Sequence, residues 1–404
     1  MGRNNWRNRD IWSISLSAGF ADVGYQSVLA AFPLFLVIQL HAPVWQYGLA
    51  MALSYGGGAI FSLFGSRLGD RIGHKKTALI GNCLIPLLSL SALIANPAWA
   101  IGLLTGGWWA RNFRSPSRRV MLNEAITNEE YRNTVFGFLH ALDVGGGATA
   151  ALLVIVALSY HLQFKYLFLL TAIPLAMSSL SLARASTGKK ISNPKQNRDG
   201  TQGKTQFHHP KEARAIYAAS ALYGFTFYSI GFPVLTVAQK TGSKTSGIVS
   251  FLVFQATSAA TGYLLARKLG KTLVAKFRNL GILGYFVSGI GALVLILDIH
   301  FHLGLTAYLF GLALLGFALG VIETLEPSVI SVVASQNGSG RGFGALSSSR
   351  SIGLFVGNIV MGLLYQIGPS WSYTYAAVIA MVAATIILVA STKLTHESPL
   401  APAP

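Results

Sequence analysis

The chain has 404 residues, of which 52% are hydrophobic and only 11% charged, with a formal net charge of +18. Soluble domains carry roughly 25% charged residues, so a string of water-soluble domains is excluded, and the hydrophobicity excludes disorder. The 43 glycines follow no Gly-X-Y period, which excludes collagen, and the single cysteine, Cys83, excludes an internal disulfide or a multi-cysteine metal site.

A bilayer-crossing helix needs about 20 mostly apolar residues. Twelve stretches qualify, over residues 12–40, 46–66, 77–95, 98–120, 133–159, 164–183, 213–239, 245–265, 277–298, 303–334, 342–366 and 371–392. The first and tenth are longer than needed, which predicts tilt or ends projecting into water. The first is too long for a signal peptide, and eleven more follow it. Pro, Gly and Asn punctuate the breaks at Ala42-Pro43, Asn96-Pro97 and Gly368-Pro369.

The basic residues test this count. Twelve spans place both termini on one side, together with the loops after spans two, four, six, eight and ten. Of the 31 Lys and Arg residues, all but Lys165, Lys240, Lys244 and Arg350 fall on that side or at the adjoining helix ends. The positive-inside rule makes that side cytoplasmic. This predicts an integral protein of the cytoplasmic (inner) membrane with both termini inside. The charge is read as topology and attraction to anionic headgroups, not as a nucleic-acid surface.

Residues 185–211 form the one long polar stretch, rich in Lys, Gln, Asn, Gly and Ser. It reads as a cytoplasmic linker between six-helix bundles at 1–184 and 212–404, with His208-His209 solvated rather than metal-binding. The halves echo each other. Phe32-Pro33-Leu34 is followed by Gln39 and Gly48, and Phe232-Pro233-Val234 by Gln239 and Gly247. A second echo, LGDRIGHKK against ARKLGKT, follows spans two and eight. A parallel duplication explains both the order and the location.

Residues 66–76 read SRLGDRIGHKK. This resembles the loop motif G-x-L-x-D-R-x-G-R-K/R of the major facilitator superfamily, matched at Asp70, Arg71, Gly73, Lys75 and Lys76. Ser66 replaces the first Gly and His74 an Arg, and in the second half Arg267 stands where an Asp belongs. Three more stretches resemble a mostly bacterial and archaeal branch of that superfamily. RNFRSPSRRVMLNE in span four matches at Arg111, Arg114, Pro116 and Arg118, with Arg119 and Glu124 replacing Asp residues. HALDVGGG in span five matches at Asp143 and Gly146, although Ala150-Ala151 replaces the Gly-Pro common in exporters. ETLEPSVIS in span ten supplies Glu323 and Glu326. The resemblance covers essentially the whole chain. It implies the all-α major facilitator fold of twelve transmembrane helices in two six-helix bundles. It also implies a secondary transporter in which spans one, four, seven and ten line a central cavity. Parallel six-helix repeats are one architecture of such transporters.

Ionisable residues inside spans are costly and are functional hypotheses by default. At about 1.5 Å per residue, Asp22 lies about ten residues into span one, near the midplane of a core about 30 Å thick. Asp143 lies at similar depth in span five. A carboxyl group shielded from water favours its protonated form and can exchange a proton as access alternates, so Asp22 and Asp143 are the expected proton-coupling pair. Asp143 also fits a purely structural role, capping a hydrogen-bond network beside Gly145-Gly146-Gly147. Arg111, Arg114 and Arg118 share one helix face by their spacing. The expected cavity comprises Asp22, Arg111, Arg114, Trp108, Phe225 and Tyr228. The expected cytoplasmic gate comprises Asp70, Arg71, Gly73, Arg118, Glu323 and Glu326, with Arg114 or Arg118 pairing with Glu323 or Glu326. His140 reads as a packing residue, with a proton relay or a metal site as the alternative.

No HExxH or GxSxG is present, and Gly270-Lys271-Thr272 is not a phosphate loop because Leu265 stands where its first Gly is required. The expectation is no enzyme, no cofactor and no metal. It is a monomeric transporter whose partners are protons, a small-molecule substrate and the bilayer, without nucleic acid. Proton-coupled export of a small organic solute is the main reading. Uptake of a small organic anion, a non-transporting receptor, a membrane enzyme and a metal exporter using Asp22, His140 and Asp143 are the alternatives.

Overall fold

The computed structural model describes residues 8–127, 132–186, 210–227, 230–265, 269–270, 272–333 and 339–397, and these are almost entirely helical, with no strand among them. The chain falls into two compact units, residues 1–201 with 231–252, and residues 202–230 with 253–404. Nine helical stretches among the described residues are long and apolar enough to cross a membrane.

In the first unit, α1 (Arg9–Pro33) runs on through a π-helical segment, Leu34–Gln39, after Pro33. Then come α2 (Val44–Ile72), α3 (His74–Leu84), α4 (Pro97–Ala125), α5 (Arg132–Ser159), α6 (Phe164–Leu170) and α7 (Ala172–Ala183). Helix α1 is the hub, packed against α5, α7 and α4, and its stretch to Gln39 is the most buried of the nine candidate spans. Small residues on α1 (Ser15, Ser17, Ala18, Ala21) let neighbouring backbones come close. Asn8 caps α1 by accepting from the Ile11 amide at 2.8 Å, and its Nδ2 donates to the Ala125 carbonyl at the end of α4 at 2.7 Å.

Prolines account for helices that the hydropathy pattern alone draws as continuous. The third predicted span switches after Leu84 to a 3-10 segment, Ile85–Leu90, because Pro86 cannot donate to the carbonyl of Asn82. The sixth breaks at Thr171, where Pro174 likewise denies Leu170 its partner. The fourth is one long helix, but four arginines keep it from reading as an ordinary apolar span. The seventh is divided between α8 (Pro210–Phe227) and α9 (Gly231–Thr241).

Residues 231–252 cluster with the first unit, and the unit boundary runs through α10 (Lys244–Leu265). The reason is local packing. Phe232 sits edge-on to Tyr47 at 5.1 Å, and the Lys244 ammonium lies 5.2 Å from the Phe164 ring centre.

The second unit contains α8, the remainder of α10, and α11 (Leu273–Asn279), which leads through a π-helical segment, Leu280–Phe286, into α12 (Val287–Phe301). Helices α13 (Leu305–Val333), α14 (Ser339–Ile367) and α15 (Pro369–Glu397) complete it. Helix α8 packs on α14 and α15, and α12 on α13 and α15. Phe277, Leu280, Ile322, Val329 and Ile387 fill the core between them.

Candidate functional site

The first unit holds a buried polar cluster on α1, α2, α4 and α5. Asp22 is 4% exposed, and its Oδ1 accepts a hydrogen bond from the Tyr25 hydroxyl one turn along α1. Nη2 of Arg111 donates to that same hydroxyl at 3.5 Å. The guanidinium lies 5.0 Å from the Trp108 ring centre and 5.4 Å from that of Tyr25. Trp108 stands edge-on to Tyr25 at 5.5 Å and to Tyr55 at 5.1 Å. An arginine is thus held by two aromatic rings, Trp108 and Tyr25, beside a carboxylate, a setting in which cation–π attraction strengthens as water is excluded.

Tight crossing of α1 and α5 puts Asp143 close to this cluster. A Cβ on Gly146 would lie 2.6 Å from the Gly19 carbonyl oxygen and 2.8 Å from Cβ of Asp22, so only glycine fits. The charges of Asp143, Arg111 and Arg118 all act on Asp22. Arg118 pairs with Asp143, Nη2 to Oδ2, at 3.6 Å. Several buried polar atoms here make no hydrogen bond with the protein, among them Asp22 Oδ2, Trp108 Nε1, Arg111 Nε and Asp143 Oδ1. Buried polar groups are otherwise nearly always paired, so their concentration marks this cluster as unusual.

The arginines of α4 do not act as one face. Arg111 belongs to the aromatic cage and Arg118 to Asp143. Arg114 is fully buried, and its Nη1 donates to Asn82 Oδ1 at 2.5 Å. Asn82 Nδ2 in turn donates to Ser178 Oγ at 3.1 Å and Ser179 Oγ at 2.9 Å, and Ser178 Oγ donates to the Ser17 carbonyl at 2.6 Å. Arg114, expected in the cavity, therefore ties α4 to α3, α7 and α1.

The second unit carries a cluster of its own. Glu326 is fully buried. Its Oε2 accepts from Ser220 Oγ at 3.1 Å and from Arg350 Nε and Nη2 at 2.8 and 2.5 Å, while its Oε1 accepts from the Tyr285 hydroxyl. Nη1 of Arg350 donates to Glu323 Oε1 at 2.8 Å. Tyr285 lies in the π-helical segment before α12, a distortion frequent at functional sites. Both carboxylates thus have a partner within their own unit. The carboxylates bind Arg350, because α13 and α14 belong to the same unit and bring the three side chains together.

In the loop after α2, Gly73 adopts φ 96°, which L side chains avoid, and turns the chain directly into α3. Asp70 is exposed and faces Nε2 of His74 at 3.6 Å, one helical turn away. Arg71 is exposed at the end of α2. Lys75 donates to the carbonyls of Ala183, at 2.8 Å, and Ala185, fastening the C-terminal end of α7.

Sequence reasoning missed Tyr25, Tyr55, Asn82, Ser220 and Tyr285. Tyr25 had a legible signal, lying three residues after Asp22, and the others had none. Arg350 was noticed inside a span, and its intramembrane charge was itself the signal. Tyr228 and the side chains of Phe225 and His140 lie outside the described residues. Among the described residues no group of three or more His, Cys, Asp or Glu could hold a metal ion.

A sequence model of the Major Facilitator Superfamily matches residues 14–357. The chain belongs to that superfamily. This superfamily member is similar to an uncharacterised MFS-type transporter of Methanocaldococcus jannaschii, 22% identical, with 96% of this chain and 97% of that relative covered. Its fold is similar to that of a peptide transporter POT solved with sulfate, with a TM-score of 0.74, 12% identity and 98% and 96% of the two chains covered. It is also similar to the human organic anion transporter MFSD10, with a TM-score of 0.66, 14% identity and 94% and 99% covered. The major facilitator fold and the nature of the chain as an integral membrane transporter follow, with a small molecule as its substrate.

Proposed function

We propose that this transporter couples export of a small organic solute to proton entry by alternating access, as a monomer in the cytoplasmic membrane with both termini inside. Asp22 is the carrying observation. It is a buried carboxylate on the central helix of its unit, one oxygen held by Tyr25 and the other without a protein partner. Such an oxygen is available to a proton or a water, and Arg111 beside it compensates its charge when the proton leaves. Asp143 is the second proton site, exchanging through its ion pair with Arg118. Trp108, Tyr55 and Tyr25 form the wall that receives the solute, and Arg111 its polar anchor. The loop bearing Asp70, Arg71 and Gly73, with Arg118, Glu323 and Glu326, forms the cytoplasmic gate.

Uptake of an organic anion is a second reading, favoured by Arg111, whose Nε has no protein partner and is therefore open to a carboxylate or sulfonate. Reconstitution into liposomes with an imposed pH gradient, followed by screening of labelled solutes in both directions, tests both readings. Solute movement driven by the gradient and abolished in Asp22→Asn supports coupling. Wild-type rates in a folded Asp22→Asn protein remove Asp22 from the mechanism.

A further inference from the structure

The second unit has a groove of about 830 Å³ that opens on its outer surface and lies apart from both polar clusters. One wall is a single face of α15, running from Ala377 through Met381, Thr385 and Val389 to Lys393 at i, i+4 spacing. Val378, Val382 and Val389 along it are 54%, 43% and 48% exposed. Leu293 of α12 and the first turn of α8 complete the lining.

Charge is confined to one end. Lys211 and Arg214, one turn apart at the start of α8, are exposed, as is Lys393 of α15, and the buried Glu212 leaves that end with an excess of positive charge. The N-terminal end of an 18-residue helix adds to it. From Ala377 to Lys393 the aliphatic wall rises roughly 24 Å at 1.5 Å per residue, while half a bilayer core is about 15 Å. A water-soluble anion would find no partner along most of this length. A molecule with an anionic head and a long alkyl tail matches it from end to end.

We propose that this groove is a specific site for one anionic phospholipid, its phosphate held by Lys211, Arg214 and Lys393 and one acyl chain lying along α15. Basic pockets between transmembrane helices recognise such headgroups, and the continuous aliphatic face supplies what a diffuse basic rim lacks, a saturable place for the tail. The site serves the leaflet at the start of α8 and the C-terminal end of α15 and does not depend on which solute the protein moves.

The test is native mass spectrometry of the intact protein, released from detergent containing equal phosphatidylglycerol and phosphatidylcholine. The wild type retains one phosphatidylglycerol under conditions that strip phosphatidylcholine. The triple variant Lys211→Gln, Arg214→Gln, Lys393→Gln loses that preference by on the order of tenfold or more, while a control removing exposed arginines elsewhere, Arg67→Gln, Arg184→Gln, Arg278→Gln, keeps it. Val382→Trp fills the groove, leaves every charge in place and also loses the lipid, with thermal unfolding confirming that each variant is folded. Equal retention in the basic triple variant, equal loss in the control, or displacement of the lipid by free glycerol phosphate overturns the proposal.

Discussion

Arg350 grips Glu326 through two nitrogens, Nε at 2.8 Å and Nη2 at 2.5 Å from the same carboxylate oxygen. The Glu326 side chain is fully enclosed, whereas that of Arg350 is 21% exposed. Helix α4 and the α5 that follows it carry Arg118 and Asp143, whereas α13 and α14 carry Glu326 and Arg350. Each unit thus bridges two successive helices by an ion pair, with the order of the charges reversed.

Removing Arg350 strands a buried carboxylate. Arg350→Gln is expected to cost about 3–5 kcal/mol of stability, read as a lower midpoint of thermal unfolding in detergent. Adding Glu326→Gln to it recovers most of the loss, because the stranded charge is then gone. A double variant no more stable than the single one contradicts this account of the cost.

Tyr25 joins Asp22 to Arg111 through one hydroxyl. Tyr25→Phe keeps the ring that packs on Trp108 and deletes only that link. Solute flux in liposomes is expected to fall about tenfold, the worth of a hydrogen bond to a charged group, with the unfolding midpoint nearly unchanged. A parallel fall in stability assigns Tyr25 to the scaffold instead.

Adjacent glycines of α5 separate packing from propensity. Gly146→Ala drives a methyl into the Gly19 carbonyl and Asp22, forcing α1 and α5 apart at a cost of about 1–3 kcal/mol. A Cβ at Gly145 meets nothing within 4 Å, so Gly145→Ala is neutral or stabilises by up to about 1 kcal/mol. Equal unfolding midpoints for the two variants refute the close approach of these helices.

Asn82 accepts from Nη1 of the buried Arg114 guanidinium, whose Nε and Nη2 make no hydrogen bond with the protein. Asn82→Ala is expected to destabilise by about 3 kcal/mol, since it leaves a buried charged donor without an acceptor. Cys83→Ser, one position along and exposed, stays within about 0.5 kcal/mol of wild type. Chemical denaturation of the two variants side by side provides the check.

Runs of apolar residues and the placement of Lys and Arg settled that this chain is a helical membrane protein, because lipid leaves the backbone no alternative to satisfying its own hydrogen bonds. Asp22, Asp143, Glu326 and Arg350 stood out for the same reason, as charges where charge is expensive. Helical spacing placed Arg111, Arg114 and Arg118 on one face but said nothing of which neighbour each would meet. Packing between helices decided that. Arg111 met Tyr25, 86 residues away, and Arg114 met Asn82, 32 away. Glu326 took Arg350, 24 residues on. Periodicity is a property of one helix and reaches only a few residues along the chain. A partner on another helix depends on its rotation and depth, which arise only when small residues such as Gly146 let backbones close upon each other.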